Sequence, residues 1–318
     1  MHVVYCSPQL DGIAAAAILF RSARLQEKDV KLGGLIDFEN AQEQFTAMSA
    51  LSGDLIFIVD FLPDSLSAFS QRLAAITVRN RIAYWNSHHA YDAATQDILK
   101  RTAHTLDLSG PLQGGTLPAQ KKCAAELAQQ RFLPNDTVAH DLARIAHDLT
   151  FWERNDKRSE QLADLIASGF DLKELIASLA RGVLWSDQFE QVRKEYLVKK
   201  AAALQDIIKH LVVKNVMNTR FGFTLAPTLL STADAGQHIL DKHTGVDVSV
   251  VLYRNGRVSF RRRDDCALNL AEIARLLGGG GHAYAAGARL AGFPSITREN
   301  FTAAVFAIDQ TLKTRLLA

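Results

Sequence analysis

Short, nearly continuous apolar runs alternate with longer amphipathic ones along the first part of the chain. Val3-Val4-Tyr5, Leu32 to Ile36, Leu55 to Val59 and Ile82 to Trp85 are almost free of polar positions, as expected of strands buried on both faces. Between them lie runs with helical spacing, notably Gly12 to Leu25 and Ser65 to Ala75. This succession predicts a parallel α/β sheet with crossover helices. Ligands of such sheets gather at the carboxyl ends of the strands, so the residues just after each apolar run are the first candidates for chemistry.

From Pro118 to about His210 the pattern turns helical, with runs Ala119 to Phe132, Thr137 to Trp152, Ser159 to Ser168, Leu172 to Ala180 and a long charged stretch, Trp185 to His210. In that stretch Arg193, Lys194, Lys199, Lys200 and Lys209 are offset by Asp187, Glu190, Glu195 and Asp206, which reads as a solvated helix face rather than a nucleic-acid stripe. A second α/β pattern follows, with strands near Leu211 to Val216 and Phe221 to Leu225, a helix from Thr232 to His243, and strands Val246 to Tyr253 and Arg257 to Arg262. Asn255-Gly256 between the last two is a hairpin signal, because both residues tolerate positive φ. The expected organisation is an N-terminal parallel-sheet domain over 1–155, a helical connector over 156–210 and a smaller C-terminal α/β domain over 211–318.

Composition narrows the classes. With 318 residues, 48% of them hydrophobic, the chain can bury two cores, and a net charge of +2 provides no global field for holding duplex DNA. An anionic partner must be gripped locally. Cys6, Cys123 and Cys266 stand far apart without a C-x-x-C pair, against a zinc knuckle or a disulfide framework and in keeping with a reducing cytoplasm. No run approaches the roughly eighteen apolar residues of a membrane span, and the N-terminal apolar run is too short for a signal-peptide core. The expectation is a cytoplasmic protein with no membrane partner.

Several candidate groups fall at predicted strand ends. Asp11-Gly12 follows the first strand, Asp60 the third, and His88-His89 the fourth. Singly, Asp11 reads equally as a helix N-cap, Asp60 as a loop residue and the histidines as surface imidazoles. Together at one sheet rim, Asp, Asp and His form the ligand mix of a manganese or magnesium phosphoesterase site. Asp148 is a further acidic candidate, with His147 and Asp141 as competitors. The run Gly278-Gly279-Gly280-Gly281-His282 exceeds what helix termination needs and predicts a loop whose amides meet an anion. On the strand before it, Arg261 and Arg263 share one face opposite Arg262, suited either to bidentate phosphate contacts or to keeping an edge strand soluble.

These motifs resemble the DHH phosphoesterase superfamily, which includes RecJ-like exonucleases, hydrolases of short oligonucleotides and cyclic dinucleotides, and exopolyphosphatase-like proteins. The resemblance spans nearly the whole chain and is most specific at the G-G-G-H-x-x-A-A-G signature, here Gly279 to Gly287; the name-giving Asp-His-His triplet stands as Ser87-His88-His89. It implies a DHH-type metal-binding domain, the helical connector and a DHH-associated substrate-binding domain. It further implies a metal site of Asp11, Asp60, His88 and Asp148, with His89 as the phosphate-side or proton-transfer residue. Arg261, Arg263, Gly278, Gly279, Gly280, Gly281 and His282 would bind substrate.

The N-terminal motif departs from the family where a second ion would bind. Gln9 replaces an Asp, and the family's His falls on Tyr5 or Ser7, neither of which replaces an imidazole. One Mn²⁺ or Mg²⁺ is therefore expected rather than two, and a lone ion must supply all the charge stabilisation of a two-metal site. The leading expectation is a divalent-metal-dependent phosphoesterase binding a short oligonucleotide, nucleotide or other phosphate ester in an interdomain cleft. The alternative is a catalytically inactive RecJ-like nucleic-acid-binding or replication scaffold subunit. A homodimer or a replication-type complex is the expected assembly.

Overall fold

The computed structural model describes residues 1–63, 65–112, 121–216 and 218–316. The helix expected from Ala119 therefore begins partly outside the described residues. Two compact units emerge, Met1–Arg193 and Lys194–Ala318.

The first unit runs β1 (His2–Cys6), α1 (Leu10–Leu25), β2 (Val30–Leu35), α2 (Ala41–Ala50), β3 (Leu55–Val59), a 3₁₀ turn (Leu66–Phe69), α3 (Ser70–Arg79), β4 (Arg81–Ser87), α4 (Ala93–Thr102) and β5 (Leu106–Leu108). Helices α5 (Ala124–Phe132), α6 (Thr137–Thr150), α7 (Lys157–Ala167) and α8 (Leu172–Ala180) follow, and α9 (Asp187–Lys209) runs on into the second unit. Five parallel strands are ordered β2-β1-β3-β4-β5. The chain leaves β1 toward β2 on one side and returns as β3 on the other. Asp11 and Asp60 thus follow the two strands that flank the reversal of strand order, where open α/β sheets bind ligands.

Both faces of this sheet are covered, which is why its strands read as continuous apolar runs. Val4 and Cys6 of β1 join the core formed with α1, α5, α6 and α8, whereas Val3 and Tyr5 join Phe45, Phe69, Leu73 and Leu99 on the other face. Ala14 to Ala17 of α1 are essentially inaccessible, and side chains that small let neighbouring helices pack closely around α1. Leu162 and Leu165 of α7, Leu175, Ile176 and Leu179 of α8, and Phe189 of α9 belong to this same core.

The second unit continues with β6 (Val212–Val216), β7 (Thr219–Ala226), α10 (Thr232–Lys242), β8 (Val248–Tyr253), β9 (Arg257–Arg262), α11 (Leu270–Leu276), β10 (Gly280–Gly281), β11 (Ala285–Arg289) and α12 (Phe301–Leu316). Its sheet is ordered β10-β11-β9-β8-β7-β6; β7 and β8 pair in parallel and the other neighbours antiparallel. The Asn-Gly reversal is present: Gly256 adopts φ +81° between antiparallel β8 and β9.

The glycine run differs from the open anion-binding loop the sequence suggests. Gly278 (φ +77°) ends α11 in the left-handed conformation, while Gly280 and Gly281 pair with Gly287 and Ala286 as a strand. A Cβ on Gly279 would lie 2.1 Å from the Gly287 carbonyl oxygen, and one on Gly281 2.6 Å from the Ala286 Cα. Close backbone approach therefore accounts for these two glycines. Gly280 alone of the four combines a φ outside the left-handed region with open space where a side chain would be.

Candidate metal centre

Asp60 follows β3 directly and adopts φ +56°, a left-handed conformation that Asp tolerates better than most residues. Its N–H donates to the carbonyl and side-chain oxygens of Asn86, at 3.1 and 3.0 Å. Asn86, fully buried at the end of β4, donates in turn to Tyr84 Oη and to the Ala124 carbonyl. Asp60 Oδ2 accepts the Ser7 hydroxyl at 2.5 Å. Oδ1 is left buried without a hydrogen-bond partner.

His88 Nδ1 stands 3.0 Å from that oxygen and 3.1 Å from Asp11 Oδ2, yet it too is buried without an aligned hydrogen bond. Asp11 does not cap its own helix, whose N-cap is Gln9. Its carboxylate instead accepts the Ala124 and Ala125 N–H groups at 2.8 and 2.7 Å, at the N-terminus of α5, where the helix dipole favours negative charge. His89 Nε2 is 3.9 Å from Asp60 Oδ1, with its ring 4.4 Å from that of His88 between centroids. Among the described residues, Asp60, His88 and His89 form the group whose ligand atoms all lie within 4.8 Å of one another.

Electrostatics bind these groups into one unit. Burial, followed by the neighbouring Asp11 charge, pushes Asp60 up to about 6. Burial also opposes ionisation of Asp11, but nearby His88 and the two amides outweigh it and hold Asp11 below the usual carboxylate range. Burial likewise opposes charge on His88, yet the two carboxylates lift it to about 10. An elevated folded-state value means that the native protein holds its proton more tightly than the unfolded chain does. The His88 contribution is complete below about pH 6.5 and lost as pH rises through about 10; Asp60 acts in the same direction between 3.8 and about 6. The melting temperature of chelator-treated protein is accordingly expected to fall from pH 7 to pH 10, and His88→Gln should flatten that slope. A slope unchanged in the variant would show that His88 is not the group responsible.

The donor set fits a divalent cation. Oxygen with imidazole suits Mn²⁺ or Mg²⁺, and six ligands at about 2.1 Å would place adjacent donor atoms about 3.0 Å apart. That matches the 3.0 Å between Asp60 Oδ1 and His88 Nδ1, two buried atoms otherwise lacking partners.

Other expected residues are differently employed. Asp148 is buried, but Oδ1 accepts the Asn155 and Asp156 N–H groups and Oδ2 the Ser159 hydroxyl, at 2.7, 3.1 and 2.5 Å. It organises the turn before α7 and lies outside the group of mutually close donors. Arg263, expected to meet substrate, instead donates to the carbonyls of Val246, Leu240 and His243 because it follows β9 beside the C-terminus of α10. Arg262 is similarly used by the carbonyls of Ala283, Arg263, Asp264 and Cys266. Arg261 lies on the α10 side of β9, its stem against Gly236. His282 is exposed at the turn from β10 to β11, stacked on Tyr284 with ring centroids 5.5 Å apart.

At the positions expected from the sequence to lack a second ion's ligands, Tyr5 is buried in the sheet, Gln9 is exposed and the Ser7 hydroxyl is spent on Asp60. Ser7, Asn86 and the Ala124 and Ala125 amides escape sequence reasoning. The only local signal among them is Asn86, the polar position that ends the apolar run of β4. Gly12 and Gly110 matter through what they lack: a Cβ would meet the Ser7 carbonyl oxygen at 2.5 Å in the first case and the His89 carbonyl oxygen at 1.9 Å in the second.

Comparison with known proteins agrees with this architecture. Residues 226–314 match the DHHA1 domain. The DHH domain of a protein described as belonging to a family of ribosomal proteins superposes with a TM-score of 0.67 at 15% identity, covering 98% of this chain and 86% of that one. RecJ from Thermus thermophilus in complex with Mn²⁺ gives 0.60 at 15% identity, covering 98% of this chain and 52% of that one, so this chain spans about half its length. CDC45 from Entamoeba histolytica gives 0.56 at 7% identity, with 98% and 95% covered. No curated protein matches the sequence. Among the described residues no helix is long and apolar enough to cross a membrane.

Proposed function

We propose that this chain, which has the DHH-superfamily fold and carries a DHHA1 domain, is a divalent-metal-dependent phosphoesterase acting on short nucleic acids or nucleotides through a single cation. The observation carrying the proposal is the pair of buried atoms without partners, Asp60 Oδ1 and His88 Nδ1, 3.0 Å apart where the strand order reverses. Manganese in the structurally similar Thermus RecJ supports the choice of ion. Asp60 and His88 would hold the ion together with Asp11, whose Oδ2 faces the same His88 nitrogen, and a bound ion would acidify water and neutralise phosphate charge. His89, partly exposed beside them, would deliver a proton to the oxygen leaving phosphorus as water attacks, yielding a nucleoside monophosphate. On the second unit, Arg261, the Gly280 backbone and His282 would bind phosphate.

A single ion is favoured because exposed Gln9 and buried Tyr5 supply no second carboxylate or imidazole beside Asp60, whose Oδ2 already accepts the Ser7 hydroxyl. The same bond, with exposed Gln9 and the likeness to CDC45, motivates a second reading: a non-hydrolytic subunit that binds nucleic acid or scaffolds a replication-type complex. Purified protein with Mn²⁺ should be assayed on short RNA, short DNA, cyclic dinucleotides and polyphosphate. Metal-dependent release of nucleoside monophosphate is expected. Tight metal binding without cleavage would favour the second reading, and no metal binding would defeat the proposed centre.

A further inference from the structure

We infer that Phe38 is a stacking platform for a nucleobase, so that the metal-centre unit itself distinguishes nucleoside-bearing esters from bare phosphate chains; this rests on the hydrolytic reading above. Phe38 follows β2, and the residue is 58% exposed. A single exposed apolar residue is ordinary on a protein surface. This one has two unusual features.

The first is its support. Asp37 Oδ1 accepts the Glu39 and Asn40 N–H groups, Asn40 Oδ1 accepts the Asp37 N–H, and Asn40 Nδ2 donates to the Leu35 carbonyl. Phe38 is therefore held out on a closed turn rather than carried on a loose loop. Its ring rests on Phe61, 5.6 Å away between centroids, and Phe61 rests on Phe45, itself 6.0 Å from Trp85. An aromatic column rooted in the core thus ends in one exposed ring.

The second is its place. The Phe38 centroid lies 6.3 Å from that of His89, edge to face, at the rim that carries Asp60 and His88. A phosphate at the ion would leave its sugar and base to extend over this rim. A rigid aromatic ring gives a base a sequence-tolerant stacking surface at little entropic cost. Polyphosphate has no group that gains from such a ring.

The test compares a manganese-dependent dinucleotide reaction with that of the same dinucleotide lacking its 5′ base. The native protein should prefer the intact substrate by about tenfold or more in kcat/KM, mainly through KM. Phe38→Ala should abolish the preference and Phe38→Trp should retain it; an exposed position tolerates both without threatening the fold. Independently of turnover, a 2-aminopurine dinucleotide should lose fluorescence on binding to the native and Trp forms, but not to Phe38→Ala. Cleavage with an undiminished preference in Phe38→Ala would overturn the inference and leave the hydrolytic reading standing. Failure of the native protein to cleave either substrate would remove both.

Discussion

Replacing Asp60 by Asn should abolish manganese binding while leaving the metal-free protein folded. Asn tolerates the left-handed backbone of residue 60 at φ +56°, and its amide oxygen can still accept the Ser7 hydroxyl, so the change removes little beyond the charge. That charge is destabilising without metal, since burial and Asp11 push the carboxyl up to about 6. At pH 7 the unfolded chain ionises this residue more readily than the folded one; a neutral Asn escapes that conflict but also withdraws one of the two charges that hold the proton on His88, so the two effects oppose. Native protein should melt higher when Mn²⁺ is added, by about 2.7 kcal/mol of stabilisation at one hundred times Kd, whereas Asp60→Asn should not respond. Losing several kcal/mol of charge stabilisation should slow metal-dependent hydrolysis by about a thousandfold or more. Calorimetric titration and thermal melts check these outcomes. Undiminished manganese binding by the variant would remove Asp60 from the centre.

The second large effect is expected at a position with no chemistry of its own. A Cβ on Gly110 would lie 1.9 Å from the His89 carbonyl oxygen, 2.4 Å from its carbon and 2.7 Å from the His88 carbonyl oxygen. All three are backbone atoms, which cannot swing aside as a side-chain end can. Both flanks are pinned as well, because Ser109 N–H donates to the Ser87 carbonyl and Tyr91 N–H to that of Pro111. Gly110→Ala must therefore displace the segment that carries both histidines. A cost of about 3 kcal/mol is expected from overpacking, read as a shift in the urea midpoint, together with weakened manganese binding. Native stability with full metal affinity would contradict the close packing of Gly110 on the His88-His89 backbone.

These two residues illustrate what is legible in the sequence. Asp60, His88 and His89 could be found because each follows a strand buried on both faces, so that an apolar run ends abruptly in a polar ligand. The fold of both units follows from the same runs and from the Asn-Gly hairpin. The partners of those ligands are nonlocal: Ser7 reaches Asp60, and the Ala124 and Ala125 amides reach Asp11 from the other end of the unit. No spacing rule announces such pairs, and nothing in the sequence sets Gly110 apart.

Where a residue is employed differently from its sequence expectation, a competing backbone demand accounts for it. Asp148 is drawn to the N–H groups before α7, and Arg263 to the carbonyls around the end of α10. Gly280 and Gly281 pair as a strand and Gly279 packs against the Gly287 backbone, so that Gly280 alone of the four joins a φ outside the left-handed region to open space. Phe38 passes unnoticed in sequence because its significance lies in the aromatic column beneath it and in His89 beside it.

The most direct measurement is anomalous diffraction at the manganese edge from crystals of the full chain grown with Mn²⁺. One ion, ligated by Asp60 Oδ1 and His88 Nδ1 and with Ser7 still bonded to Asp60 Oδ2, is the expected result. Two ions bridged by Asp60, or a peak remote from both side chains, would contradict it.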